Sequence, residues 1–201
     1  MRPTIIVLLL ELFVARTALA ATEPAPPSWA RTRPTSRGAI ALLANAAQRS
    51  SIITSLLGVL ERSDLVVYVA DSMPGAEGGS AASHLVFLSL DSTTRYVLIQ
   101  VDRFRLSPIE SIVALGHELR HAVEVAEARE VRDTTTLVQL YRRIGREGQK
   151  NRFETEAARD TGNRVRRELA HRQAAPPPQR ISANAAAESA AAFTGVGPTS
   201  R

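Results

Sequence analysis

The stretch Ser107–Glu127 reads SPIESIVALGHELRHAVEVAE, and its pattern predicts one long amphipathic helix. Ser107 can cap the helix with its side chain, Pro108 suits the first helical position, and Glu110 completes a capping box. Gly116 is the only weak helix former in the run. Apolar residues recur at helical spacing and form one stripe along the helix: Ile112, Leu115, Leu119, Ala122, Val123 and Ala126.

Within this helix, residues 117–121 read His-Glu-Leu-Arg-His, an H-E-x-x-H motif. Residues four apart in sequence lie one turn apart on the same face of a helix. His117 and His121 are therefore predicted to bind one zinc ion together, each at about 2 Å. Glu118 follows the first histidine and lies beside the site, where its carboxylate can take a proton from an attacking water. The simpler alternative is a pair of surface histidines beside a helical glutamate.

The capped helix and its motif resemble the active-site helix of the H-E-x-x-H zincin metallopeptidases. The resemblance covers Ser107–Glu127 and, more weakly, a segment around Glu154. It implies a small zincin-like α+β domain, in which a short β-sheet packs against the motif helix and further helices. It also implies zinc as the cofactor, a peptide or protein as the substrate, and hydrolysis of peptide bonds by Glu118 and a zinc-bound water.

A third ligand is expected outside the motif, because a catalytic zinc site usually has three protein ligands and one open position. One zincin subclass continues the motif as H-E-x-x-H-x-x-G-x-x-H. This chain departs from that pattern, since Glu124 stands in place of the glycine and Glu127 in place of the third histidine. The chain is closer to the gluzincins, which take a glutamate from a later helix.

Two glutamates compete for this role in the segment Phe153–Ala158, which reads FETEAA. Glu154 is the preferred third ligand, because an aromatic residue precedes it and its neighbours suit a helix pressed against the motif helix. Glu156 is the alternative, because Asp160 follows it at the spacing of the gluzincin E-x-x-x-D pattern. A third interpretation assigns neither glutamate to zinc and places both in salt bridges with nearby arginines.

The segment Met1–Ala20 has the composition of a secretory signal peptide. Arg2 supplies the positive charge, Ile5–Val14 is apolar, and Ala18-Leu19-Ala20 is a small-x-small cleavage site. We therefore expect a protein that is exported to the periplasm or the extracellular space; the alternative is a segment that stays uncleaved as an anchor. No stable membrane span is expected after cleavage.

The chain contains no cysteine, so an exported form would lack a disulfide framework. Its net charge of +5 comes almost wholly from arginine, a bias that is typical of a GC-rich bacterial genome. The basic residues are scattered and lack the aromatic platforms of proteins that bind single-stranded nucleic acid. Nucleic acid is therefore not expected as a partner.

The order of the remaining elements predicts an α+β domain, because helices precede and follow a block of strands. A signal peptide is expected at 1–20, a disordered linker at 21–37, the zincin-like domain at 38–172 and a disordered low-complexity tail at 173–201. Besides the motif helix, helices are expected at 36–49, 51–62, 133–144 and 153–171. Strands are expected at 64–70, 84–90 and 95–101, the last two as a hairpin, and loops at 74–83 and 145–149.

Two functions from different classes fit these features. The first is an exported zinc-dependent hydrolase, a metallopeptidase in which Glu118 is the general base. Tyr141 or Tyr68 is then a candidate for stabilising an oxyanion in the transition state. The second is a non-catalytic exported protein that binds zinc or a partner, which a closed shell of four protein ligands would favour.

Overall fold

The computed structural model describes residues 29–72, 82–147 and 153–174. The elements of these ranges follow the order β1 (Thr32–Pro34), α1 (Arg37–Arg49), α2 (Ser51–Glu61), β2 (Leu65–Asp71), β3 (Ser83–Asp91), β4 (Thr94–Val101), α3 (Pro108–Glu127), α4 (Thr134–Ile144), β5 (Arg146–Glu147), β6 (Phe153–Glu154) and α5 (Glu156–Ala174). The expected signal peptide, residues 21–28 of the linker, most of the first loop, and the tail from residue 175 lie outside the described residues.

The main sheet has four strands in the order β1-β2-β4-β3. The pairs β1–β2 and β2–β4 are parallel, whereas β3 and β4 are antiparallel. The hairpin predicted from the sequence is therefore confirmed. Alternate residues of β4 are buried, so one face of the sheet carries the core: Arg95, Val97, Ile99 and Val101. The fold is thus α+β with a mixed sheet, as expected at the level of fold class.

Helix α3 lies on the buried face of the sheet and also contacts α1, α2 and α5. Its predicted cap is present, since Ser107 Oγ accepts a hydrogen bond from the Glu110 amide at 3.2 Å. Ile112, Leu115 and Leu119 are fully buried. Burying such a side chain stabilises the fold by about 1.5–3 kcal/mol. The apolar stripe of α3 therefore fixes the helix on the sheet and leaves the two motif histidines on another face of the helix.

Gly116 explains how closely α3 and α5 approach each other. A Cβ atom at this position would lie only 3.0 Å from Cγ2 of Val165 on α5. The residue that weakens the helix locally therefore permits the packing of the two helices.

The C-terminal end of α3 is held by Arg95 of β4, whose side chain is almost completely buried. Its Nη1 donates to the carbonyl oxygens of Val125 and Ala128 at 2.7 and 2.8 Å, and its Nη2 donates to Asp64 Oδ1 at 2.7 Å. The last carbonyl groups of a helix have no partners within the helix. Arg95 satisfies them here and ties the end of the motif helix to the sheet.

The N-terminal part of the described chain is more ordered than the sequence predicts. Thr32–Pro34 forms β1, inside the segment that was expected to be a linker, and pairs in parallel with Val67–Val69. A short proline-containing segment can form an edge strand because only one of its sides needs to be paired. The first residues of the expected linker lie outside the described part of the chain.

The predicted start of the last helix is wrong. Phe153–Glu154 forms β6, which pairs with Arg146–Glu147 in the segment predicted to be a loop. Thr155 Oγ1 accepts a hydrogen bond from the Ala158 amide at 3.1 Å, so α5 begins at Glu156. The pairing with β5 overrides the local helical pattern, and it places Glu154 on a strand immediately before the helix. Across the described ranges, no helix has both the length and the apolar composition that crossing a bilayer requires.

Candidate metal centre

His117 and His121 project from the same side of α3, as the spacing predicts. Their Nε2 atoms lie 3.1 Å apart. His121 is buried, with 5% of its surface exposed, and His117 is partly buried. The motif therefore places two ring nitrogens next to each other at the edge of the core.

Glu154 completes a group of three potential ligands. Its Oε1 atom lies 3.6 Å from Nε2 of His117. One ligand atom each of His117, His121 and Glu154 lies within 4.8 Å of the other two. The β5–β6 pairing and the Thr155 cap fix the backbone around Glu154. A residue far along the chain thus reaches the motif histidines from the strand that precedes α5.

The structure separates the two glutamates that compete in the sequence. Glu156 is exposed and faces a different cleft, together with Arg120 and Asp160. It is not part of the histidine group. The structure thus brings Glu154, and not Glu156, to the motif histidines, and Glu154 lies on a strand and not on a helix.

The donor set fits a zinc ion. Two nitrogens and one carboxylate oxygen are a common set in catalytic zinc sites. Two ligands at about 2.0–2.1 Å from one tetrahedral zinc lie about 3.3 Å apart, close to the 3.1 Å between the histidine nitrogens. Glu154 Oε1 is buried and has no hydrogen-bond partner among the described residues. Such an atom is costly to leave unsatisfied, and a cation at this position would satisfy it.

Glu118 lies beside this group and is 4% exposed. Its Oε1 accepts a hydrogen bond from Ser83 Oγ at 2.7 Å. Burial raises the pKa of Glu118, while the charge of His121 and the hydrogen bond from Ser83 offset part of the increase. Sequence reasoning missed Ser83, because nothing in the local sequence brings the first residue of β3 to the motif helix.

The two histidines differ in their affinity for protons. Burial lowers the pKa of His117 to about 4, and the charge of His121 adds to this effect. Burial also acts to lower the pKa of His121, but the hydrogen bond to Glu124 and the charge of Glu118 outweigh it, so this pKa is raised. A ring nitrogen binds a metal ion only without its proton, so both Nε2 atoms would have to be deprotonated in a metal-bound site.

Glu124 contacts the ring of the second histidine of the motif, His121. Its Oε2 lies 2.9 Å from Nδ1 of His121, and its Oε1 accepts a hydrogen bond from Thr155 Oγ1 at 2.7 Å. Sequence reasoning treated Glu124 only as a departure from a family pattern and missed this role. The signal was present, because residues three apart share a helix face.

A cleft of about 830 Å³ opens over the three potential ligands and Glu118. One wall is apolar and comes from α4 and β6: Leu137, Val138, Tyr141 and Phe153. A second wall is the first half of β3, including His84, and a third is one face of α5 that carries Arg159, Asn163 and Arg166. The cleft is large enough for a short segment of peptide.

The two tyrosines considered from the sequence have different positions. Tyr141 lines the cleft, and its hydroxyl donates a long hydrogen bond of 3.4 Å to the backbone oxygen of His121. Burial raises the pKa of Tyr141 well above its ordinary value, and the charges of Glu124 and Glu118 contribute. Tyr68 stacks on Tyr96 in the sheet and is not among the residues that line the cleft.

Comparisons of the chain with protein-family models, with curated proteins and with solved structures found no match.

Proposed function

We propose that the protein is an exported zinc-dependent hydrolase, a metallopeptidase with a zincin-like, gluzincin-type site. The observation that carries the proposal is the convergence of His117, His121 and Glu154, whose ligand atoms lie within 4.8 Å of one another. Glu118 is buried next to this group on the same helix. Three protein ligands leave the open coordination position that catalytic zinc sites keep.

His117, His121 and Glu154 would hold the metal. When bound, zinc acts as a Lewis acid that polarises a carbonyl group and lowers the pKa of water. The buried position of His121 and its contact with Glu124 hold one ring in place. The β5–β6 pairing holds the backbone of Glu154 in place beside the two histidines.

Glu118 is the general base of the proposed reaction. Ser83 occupies Oε1, and the other oxygen, Oε2, makes no hydrogen bond within the described ranges. Oε2 is therefore the atom that takes the proton from the attacking water. The same carboxyl group can then pass that proton to the leaving amine. A general acid–base residue of this kind contributes about 100- to 10,000-fold to a rate.

The substrate would lie against β3. This strand is at the edge of the sheet, and residues 82–87 line the cleft. An extended peptide can add to such an edge through main-chain hydrogen bonds. The apolar wall formed by α4 and Phe153 then offers space for a hydrophobic side chain of the substrate.

The decisive experiment compares the zinc-loaded parent with the Glu118→Gln variant. Zinc content is measured by elemental analysis, and cleavage of a mixed peptide library is followed by mass spectrometry. We expect about one zinc per chain in both proteins, because Glu118 is not a ligand. We expect hydrolysis to fall by about 100-fold or more in the variant.

The non-catalytic alternative predicts a different result. In that case the parent binds zinc but cleaves no member of the library, and Glu118→Gln changes nothing that can be measured. Equal cleavage by parent and variant would instead show that the mechanism proposed for Glu118 is wrong.

A further inference from the structure

Arg159 lies on the α5 wall of the cleft, close to the proposed metal ligands. Gly162, one turn further along this helix face, lies against His117, since a Cβ atom added to Gly162 would be 3.7 Å from the histidine Cβ. Arg159 therefore lies at the level of the metal ligands. Its positive charge acts to lower the pKa of both His117 and Glu154.

The second arginine of this wall, Arg166, forms an ion pair within the protein. Arg166 Nη2 donates to Glu110 Oε2 at 2.8 Å, which joins α5 to the first turn of α3. Arg159 differs, because in the part of the chain that the structure describes its side chain makes no hydrogen bond or ion pair. The charge of Arg159 acts to lower the pKa of Glu154, but the two side chains form no ion pair.

Arg159 is exposed on the wall of the cleft, so its guanidinium can bind an anion that enters there. Arginine binds a carboxylate through two parallel hydrogen bonds, which gives direction as well as affinity. The nearest carboxylate of the protein, Glu154, is assigned to the metal in the proposed site. Among the described residues no carboxylate pairs with Arg159, so its guanidinium is open to a carboxylate of a bound peptide.

We propose that Arg159 binds a carboxylate of the substrate and so selects anionic peptides. This inference rests on the proposed function, because it places the peptide in the same cleft. The carboxylate belongs either to the C-terminus of a short peptide or to an Asp or Glu side chain. Both groups have the same chemistry, and the experiment below separates them.

Binding is measured in the zinc-loaded Glu118→Gln protein, which retains the cleft but is expected not to consume the peptide. The probes are fluorescently labelled short peptides in matched pairs. In one pair the C-terminus is free or amidated, and in the other an amidated peptide carries Glu or Gln at one position. Dissociation constants are determined by fluorescence anisotropy for this protein and for the same protein with the additional substitution Arg159→Gln.

We expect the carboxylate member of one pair to bind about 10- to 100-fold more tightly than its amide partner, as a charge-assisted bidentate contact allows. Arg159→Gln should reduce this preference to less than about 3-fold, mainly by weakening the carboxylate member. Arg159→Lys should retain part of it, because lysine keeps the charge but not the planar fork.

The matched control is Arg164→Gln, which removes the same charge from the same helix. Arg164 is exposed and faces another cleft, together with Ser51 and Asp160. This variant should keep the full preference for the carboxylate peptide. A general effect of net charge would instead reduce the preference equally in Arg159→Gln and Arg164→Gln, and would overturn the proposal.

The failure of this proposal can be distinguished from failure of the proposed function. Carboxylate-selective binding that depends on Arg159, without hydrolysis by the parent, supports the role of Arg159 and rejects the peptidase. Hydrolysis by the parent without any such selectivity rejects the role of Arg159 and leaves the peptidase standing. Absence of peptide binding rejects the proposal for Arg159 directly.

Discussion

The Oε2 atom of Glu124 lies 2.9 Å from Nδ1 of His121, inside the protein, and this contact orients the second histidine of the motif. The same carboxylate accepts a hydrogen bond from Thr155, the residue that caps α5. A carboxylate on Nδ1 selects the tautomer in which Nε2 is free to bind a metal. Glu124 therefore couples the position of His121 to the segment that carries Glu154.

We predict that Glu124→Gln weakens zinc binding without removing a ligand. Outer partners of metal-bound histidines typically contribute about 10- to 100-fold to metal affinity. The dissociation constant should rise within this range, measured by competition with a chromogenic chelator. Glu127→Gln is the control, because Glu127 is exposed and lies only loosely beside Arg120 at 3.8 Å. Equal affinities in the two variants would contradict the orienting role of Glu124.

We predict that Glu154→Gln lowers zinc affinity by more than about 100-fold, the upper end of what an outer partner contributes. Zinc content and any hydrolysis should fall together, since a ligand is weakened. Glu156→Gln is an isosteric control two residues away on an exposed position, and it should retain the metal. Loss of zinc in Glu156→Gln alone would mean that the third ligand is misassigned.

We predict that Arg95→Met destabilises the fold by about 3 kcal/mol or more. The substitution removes the partner of the Val125 and Ala128 carbonyl oxygens, and a buried group left unsatisfied costs about 1–3 kcal/mol. Urea unfolding of the metal-free protein gives the free energy of unfolding without a contribution from bound zinc. An unchanged urea midpoint would show that the end of α3 does not depend on Arg95.

We predict that the stabilisation from Asp64 disappears in acid. The hydrogen bond from Arg95 is the main cause that lowers the pKa of Asp64, although partial burial opposes it. Because the pKa is lower in the folded than in the unfolded state, the stabilisation is fully present above the unfolded value of about 3.9. It is lost as the pH falls through the folded value. The parent should therefore exceed Asp64→Asn in urea stability at neutral pH, and the difference should vanish in strong acid.

We predict that the mature protein begins at or near Ala21. The composition of Met1–Ala20 motivates this prediction, and the segment lies outside the described residues. N-terminal sequencing of protein from the exported fraction is the measurement. A mature chain that still begins with Met1 would remove the argument for export.

The sequence alone was sufficient for the features that depend on neighbours along the chain. The motif helix, its Ser107 cap and the i, i+4 relation of His117 and His121 follow from helical geometry, which is local. The helix expected at 133–144, which Asp133 caps in the structure, and the β3–β4 hairpin are local for the same reason. These parts agree with the structure to within a few residues.

Only the tertiary structure decided which distant groups meet the motif. The β5–β6 pairing carries Glu154 to His117 and leaves Glu156 outside, and the position of β3 brings Ser83 to Glu118. Such contacts depend on strand pairing and helix packing between segments far apart in the chain, so no local pattern encodes them. The sequence determined the helix that presents the histidines, and the packing around that helix decided which glutamate joins them and which side chain donates a hydrogen bond to Glu118.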